Sequence, residues 1–244
     1  MAWCLLAAFL ASNSRLPGPR ANLELLNAFA TAVKSARTSP EKLWNLSLHF
    51  CRSTNEFVVM CGIRGVGAVA TVNPEAFNQR AMRQLKLAAA SPNWRAREAV
   101  AMALQDMIGS RALQMKRLDE WVSEGDWLAM RAVAAGVAEP RLLRDASDAR
   151  LALGLHKRIL ARVAGTDSPR SEDLRVLKQA LAYSLSVVVA AAPKEGFTYL
   201  EELIAKRDPD ILSVCRENLK KDRLKRIRPD LVQELSGALQ KGAR

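Results

Sequence analysis

The feature that most constrains this chain is the regular interruption of helix-length apolar stripes. The stretch after Ser91 and Pro92 sets the type. Ala96, Ala99, Val100, Ala103, Leu104, Met107 and Ile108 recur three and four residues apart, the spacing of one buried helical face. Ser91 supplies a capping hydroxyl and Pro92 a first-turn residue, so a helix is predicted to open there. Trp94, Glu98, Met102 and Gln105 fall together on a second face. Similar stripes, bounded by proline, glycine, aspartate or asparagine, predict helices over residues 1–11, 23–35, 40–51, 55–72, 74–89, 111–123, 126–138, 147–164, 171–192, 195–206, 209–221 and 229–240. Pro17–Gly18–Pro19 stops the first of them. No segment alternates with a period of two, so no strand is predicted. Val187–Val188–Val189 is β-branched but lies inside a long alanine-rich helical pattern.

The stripes also repeat on a longer scale. Phe57, Trp94 and Trp127 each stand at a helix start, 37 and 33 residues apart. A basic residue recurs at Arg97, Arg131, Lys178 and Arg216, spaced 34, 47 and 38. A repeat of this length with two helices per unit is the signature of an α-solenoid. The expected fold is therefore all-α, an α-solenoid in a single domain over 1–244, with about five helix pairs and capping helices at the ends. Second helices of such an array line its concave face. Cations pointing into that face would track a phosphate backbone; the other reading is that they bond one repeat to the next.

Charge narrows the partners. The formal net charge is +12 and the isoelectric point about 10.0, which favours polyanions, nucleic acid first and an anionic membrane second. A well-solubilised cytosolic protein with excess arginine has the same balance. Aromatic residues are only 5% of the chain, and the dominant alanine and leucine suit helices packed closely on small side chains. Cys4, Cys51, Cys61 and Cys215 form no CxxC pair, so they are expected as reduced thiols in a cytoplasmic protein, with neither a metal nor a cofactor. The apolar start, Met1 to Ala11, lacks the basic lead of a secretory signal and is too short to span a bilayer. No other charge-free stretch reaches spanning length, and no membrane partner is expected. Gly62, Gly65 and Gly67 do not follow the GxGxxG order, and their expected role is close helix contact or a helix bend. His49 and His156 have no partner at useful spacing. The basic run of Lys220, Lys221, Arg223, Lys225, Arg226 and Arg228 reads either as the end of a DNA groove or as a solvated face.

The acidic or amide residue, aromatic or aliphatic residue, then arginine and small residues resemble HEAT repeats. Three stretches are more specific. Glu120–Trp121–Val122 with Asp126–Trp127–Leu128 and Arg131–Ala132–Val133, then Lys178–Gln179–Ala180–Leu181–Ala182–Tyr183–Ser184–Leu185 with Ala192–Pro193–Lys194–Glu195, then Arg216–Glu217–Asn218–Leu219–Lys220, are similar to repeats of the bacterial HEAT-repeat alkylpurine DNA glycosylases. The resemblance covers roughly 90–225. It implies an open clamp that holds duplex DNA by its backbone and excises cationic N-alkylated purines without a deep base pocket. The implied catalytic set is Trp94, Glu98 and Tyr183, with glutamate in place of the family's aspartate and tyrosine in place of a second tryptophan. Arg95, Arg131, Lys178, Arg216 and Lys220 are the candidate DNA contacts. The local chemistry agrees: a cationic base is already a good leaving group, a carboxylate stabilises the developing oxocarbenium ion, and an aromatic face attracts both. The alternative is a non-enzymatic HEAT-repeat scaffold for an acidic protein or peptide, in which Glu98 only pairs with Arg95 or another arginine.

Overall fold

A computed structural model of the chain describes residues 2–166 and 171–241. These residues form an all-helical structure without a strand, and they gather into two compact units, 1–114 and 115–244.

Unit 1 contains α1 (Ala2–Ser12), α2 (Leu23–Ser35), α3 (Pro40–Cys51), α4 (Glu56–Val72), α5 (Pro74–Ala89) and α6 (Trp94–Gly109). Asparagine side chains cap three of them. The side chain of Asn22 accepts from the Leu25 amide, that of Asn55 from Phe57 and Val58, and that of Asn93 from Arg95. The cap of α6 is thus Asn93 and not Ser91; the Ser91 hydroxyl accepts from the Asn93 amide and shapes the approach instead. The stripe read from sequence is the buried face of α6, with Ile108 at its half-covered end.

The central element of unit 1 is α4, packed by α2, α3, α5 and α6. Its glycines explain how it can be surrounded. A Cβ on Gly62 would lie 2.4 Å from the Cys51 nitrogen and 2.7 Å from the Phe50 carbonyl carbon, so α3 and α4 meet backbone to backbone. A Cβ on Gly67 would meet that of Ala103 on α6 at 2.8 Å. Arg64 of α4 reaches Asp106 of α6 at 2.8 Å, with the two side chains only 7% and 11% exposed.

Unit 2 contains a 3₁₀ turn (Met115–Leu118), α7 (Asp119–Glu124), α8 (Trp127–Val137), a second 3₁₀ turn (Pro140–Leu142), α9 (Ala146–Ala164), α10 (Glu172–Ala191), α11 (Pro193–Ala205), α12 (Pro209–Leu219), α13 (Asp222–Ile227) and α14 (Pro229–Lys241). The predicted helix over 111–123 is therefore a turn and a short helix. Arg111 takes a left-handed backbone with φ 62°, which a side chain disfavours and which no helix continues through. The basic run after Lys220 holds α13, anchored by the fully buried Leu224.

The centre of unit 2 is α10, packed by α8, α9, α11, α12 and α13. Among the described helices it alone is long and apolar enough to cross a membrane, which the sequence reading had not singled out, and half of that stretch is buried inside the protein. Neutral polar groups tie it down. His156 of α9 is fully buried, with Nδ1 2.9 Å from the Ala152 carbonyl oxygen and Nε2 2.9 Å from the Ser184 hydroxyl. The Asn218 side chain accepts from the Ser186 amide at 2.7 Å and donates to the Leu181 carbonyl at 2.9 Å.

One backbone device recurs in both units. Asn73, Ala192 and Arg228 end α4, α10 and α13 with φ between −126° and −142° and ψ between 61° and 73°. Each donates its amide to the carbonyl four residues back, and each is followed by the proline that begins the next helix. The proline ring bars its predecessor from the helical region and pre-sets its own φ for a first turn, so the chain turns a corner without a loop.

Candidate nucleic-acid interface

The N-terminus of α6 presents the residues that the sequence grouped. Trp94, Glu98 and Met102 line one recess of about 440 Å3 in unit 1. Their spacing of four places them one above another on the helix face, as the sequence predicted. Trp94 is 53% exposed, unusual for so large an apolar group, and Glu98 is half-covered.

The segment 13–22 supplies the opposite wall. The Ser14 hydroxyl accepts from the Leu16 amide, the Gly18 amide donates to the Arg15 carbonyl at 3.0 Å, and the Asn22 amide donates to the Ser14 carbonyl at 2.9 Å. Arg15 adopts φ 62°, a conformation that costs of order 1 kcal/mol or more outside glycine. A Cβ on Gly18 would lie 2.6 Å from the Arg15 carbonyl oxygen, so only glycine closes this turn. The turn brings Arg15, Arg20 and Glu24 to the recess, with Met60 of α4 as its apolar wall. Arg15 and Arg20 are exposed and have no ion-pair partner among the described residues.

Arg95 binds the two walls together. Its guanidinium donates to Glu56 at 3.0 Å and to the Gly18 carbonyl at 3.4 Å, and it lies 4.6 Å from the Trp94 ring centroid. Glu56 also accepts from the Asn93 side chain at 2.7 Å. Arg95, expected as a DNA contact, thus holds the loop and the indole in place, with its side chain only 14% exposed. The recess offers an aromatic face, two carboxylates and two mobile-length guanidinium side chains, a combination suited to a planar group joined to phosphate.

The other candidate residues lie in unit 2. Tyr183 of α10 is 53% exposed, and its hydroxyl accepts from Arg223 at 3.1 Å. The Arg223 guanidinium stands 4.7 Å and the Lys221 ammonium 5.8 Å from its ring centroid. Lys178 donates to Asp210 at 2.7 Å, its charge already matched. Arg131 of α8 is only 8% exposed, the disposition of the inter-helix bonding alternative rather than of a groove contact. Arg216 on α12 and Lys220 just past its end are exposed, and Lys220 pairs with Glu217 at 2.5 Å. Arg216, Lys220 and Lys225 border a second recess of about 520 Å3 with Leu219, Pro229, Val232 and Leu239 in its wall.

Arg15, Arg20 and Glu24 are site residues that no motif or helical spacing marks. Their one signal is Pro17–Gly18–Pro19, a stop for α1 that also folds the chain back. Burial pushes the thiols of Cys51, Cys61 and Cys215 up to about 12, which keeps those three protonated at physiological pH. Burial lowers His156 to about 4, so it is a neutral packing residue at physiological pH. Among the described residues, no three His, Cys, Asp or Glu side chains gather closely enough to hold a metal ion. No family model matches the chain, and no curated protein matches it either.

Proposed function

We propose that this protein is a HEAT-like α-solenoid that binds duplex DNA through the DNA backbone, with excision of N-alkylated purines as an extension of that role. The single observation that carries the reading is the Trp94 recess: an exposed indole, braced by Arg95, with Arg15 and Arg20 beside it and Glu98 four residues along the same helix. In this reading Arg15 and Arg20 engage phosphates, Trp94 faces a cationic base or sugar, and Glu98 stabilises positive charge developing at the anomeric carbon. Repeated helix–proline–helix corners at Asn73, Ala192 and Arg228 support a solenoid of paired helices. Tyr183, with Arg223 and Lys221 around its ring, is an aromatic and cationic platform within unit 2.

Titration of duplex DNA against salt tests the binding. The expected result is a steep fall in affinity with rising salt, with a shallower slope in the Arg15→Glu, Arg20→Glu double variant. No binding at low salt would dispose of the reading and leave the acidic-protein scaffold. Incubation of methylated DNA with the protein and with Glu98→Gln tests excision; release of base that persists unchanged in the variant would remove Glu98 from its role.

A further inference from the structure

The exterior of α1 is apolar, and among the described residues nothing packs on much of it. Leu10 is buried, whereas Trp3, Leu5 and Phe9 are 40%, 68% and 54% exposed. The helix carries no charged side chain over Ala2–Ser12, so it lacks the polar face that normally solvates a surface helix. Trp3 rests against His49 of α3, ring centroids 5.6 Å apart, and the exposed Arg52 follows three residues after His49. The exposed Arg15 follows the other end of α1. Residues 1–114 hold thirteen Lys and Arg against six Asp and Glu.

We infer that α1 lies in the surface of an anionic lipid bilayer. Trp3, Leu5 and Phe9 enter the boundary between headgroups and acyl chains, and Arg15 and Arg52 meet the lipid phosphates. Eleven residues of helix reach about 16 Å, roughly half of the hydrocarbon core, so the helix lies in the plane and does not span. The expectation of no membrane partner was drawn from span length and signal pattern, and in-plane burial makes neither demand. Size separates this occupant from a second copy of the chain. The three exposed side chains offer of the order of 300 Å2 of apolar surface, below the ~800 Å2 per partner of a stable protein interface. A bilayer needs no matching partner surface, and it supplies the negative charge that the flanking arginines complement.

Co-sedimentation of the full chain with phosphatidylcholine vesicles, with and without phosphatidylglycerol, tests this. The protein is expected to pellet with the anionic vesicles and to remain largely in solution with the neutral ones. The triple variant Trp3→Ser, Leu5→Ser, Phe9→Ser should lower the bound fraction about tenfold. Leu5→Glu, at the most exposed of the three positions, should lower it several-fold with an unchanged melting temperature, which separates lost docking from lost folding. Wild-type protein left in solution with anionic vesicles at low salt would overturn the inference. So would a triple variant that pellets like wild type, or a dimer in sedimentation velocity that the triple variant dissociates.

Discussion

The two units solve one problem, a central helix packed on several sides, in different chemical terms. In unit 1, α4 is approached through glycines, and its interior charge, Arg64, is met by Asp106 at 2.8 Å. In unit 2, α10 is approached through neutral polar groups: His156 to Ser184, and Asn218 to the backbone at Leu181 and Ser186. The first interior depends on the absence of atoms and on one matched pair of charges. The second depends on hydrogen bonds among neutral groups, one of which, His156, is neutral only above a certain pH. The two should therefore fail under different insults.

The largest effect is expected for Asp106→Ala, which leaves the Arg64 charge buried without its carboxylate. Chemical denaturation should show a loss of about 3–5 kcal/mol, and the double change Arg64→Met, Asp106→Leu should recover much of it. Acid should strike unit 2 instead. The folded-state pKa of His156 is about 4 against an ordinary 6.5, so the native state binds its proton later than the unfolded chain. Its contribution is whole above pH 6.5 and is lost as pH falls towards 4, about 3 kcal/mol in all. Melting curves of wild type and His156→Gln over that range should converge as pH drops. Gly62→Ala follows, at about 1–3 kcal/mol, because its Cβ meets backbone and not a flexible side chain; faster amide exchange should be confined to α3 and α4. The smallest effect is expected for Glu41→Gln. Its ion pair with Arg80 is open to water, with side chains 57% and 36% exposed, and its loss should shift stability by less than about 1 kcal/mol. A large effect at Glu41 would break the distinction between interior and surface charge on which this ranking rests.

Much of this was legible in the chain itself, for reasons that particular residues make plain. Proline and asparagine mark helix starts because both act locally, and α2, α3, α4 and α5 lie where those residues put them. Glycine crowding in α4 was legible as close contact. Arg111 was not, since arginine rarely takes a left-handed backbone and nothing nearby announces it. The short α13 was hidden because six cations surround its one apolar anchor, Leu224. At the candidate site, the grouping of Trp94, Glu98 and Met102 followed from helical arithmetic alone. Arg15, Arg20 and Glu24 did not, because their place depends on a return turn. The burial of Arg131 was legible only as one of two readings, because a long aliphatic stem lets a cation sit beneath its neighbours as readily as reach into a groove.

The proline corners at Asn73, Ala192 and Arg228 have a consequence for how such a chain can diverge. An elbow fixed by one imino ring and its predecessor does not draw its angle from the side chains on either arm. Faces of the paired helices can then be rewritten, glycine for serine or an ion pair for an amide, while the bend between them is inherited intact. Architecture in this molecule is carried by punctuation, which leaves its vocabulary free to change.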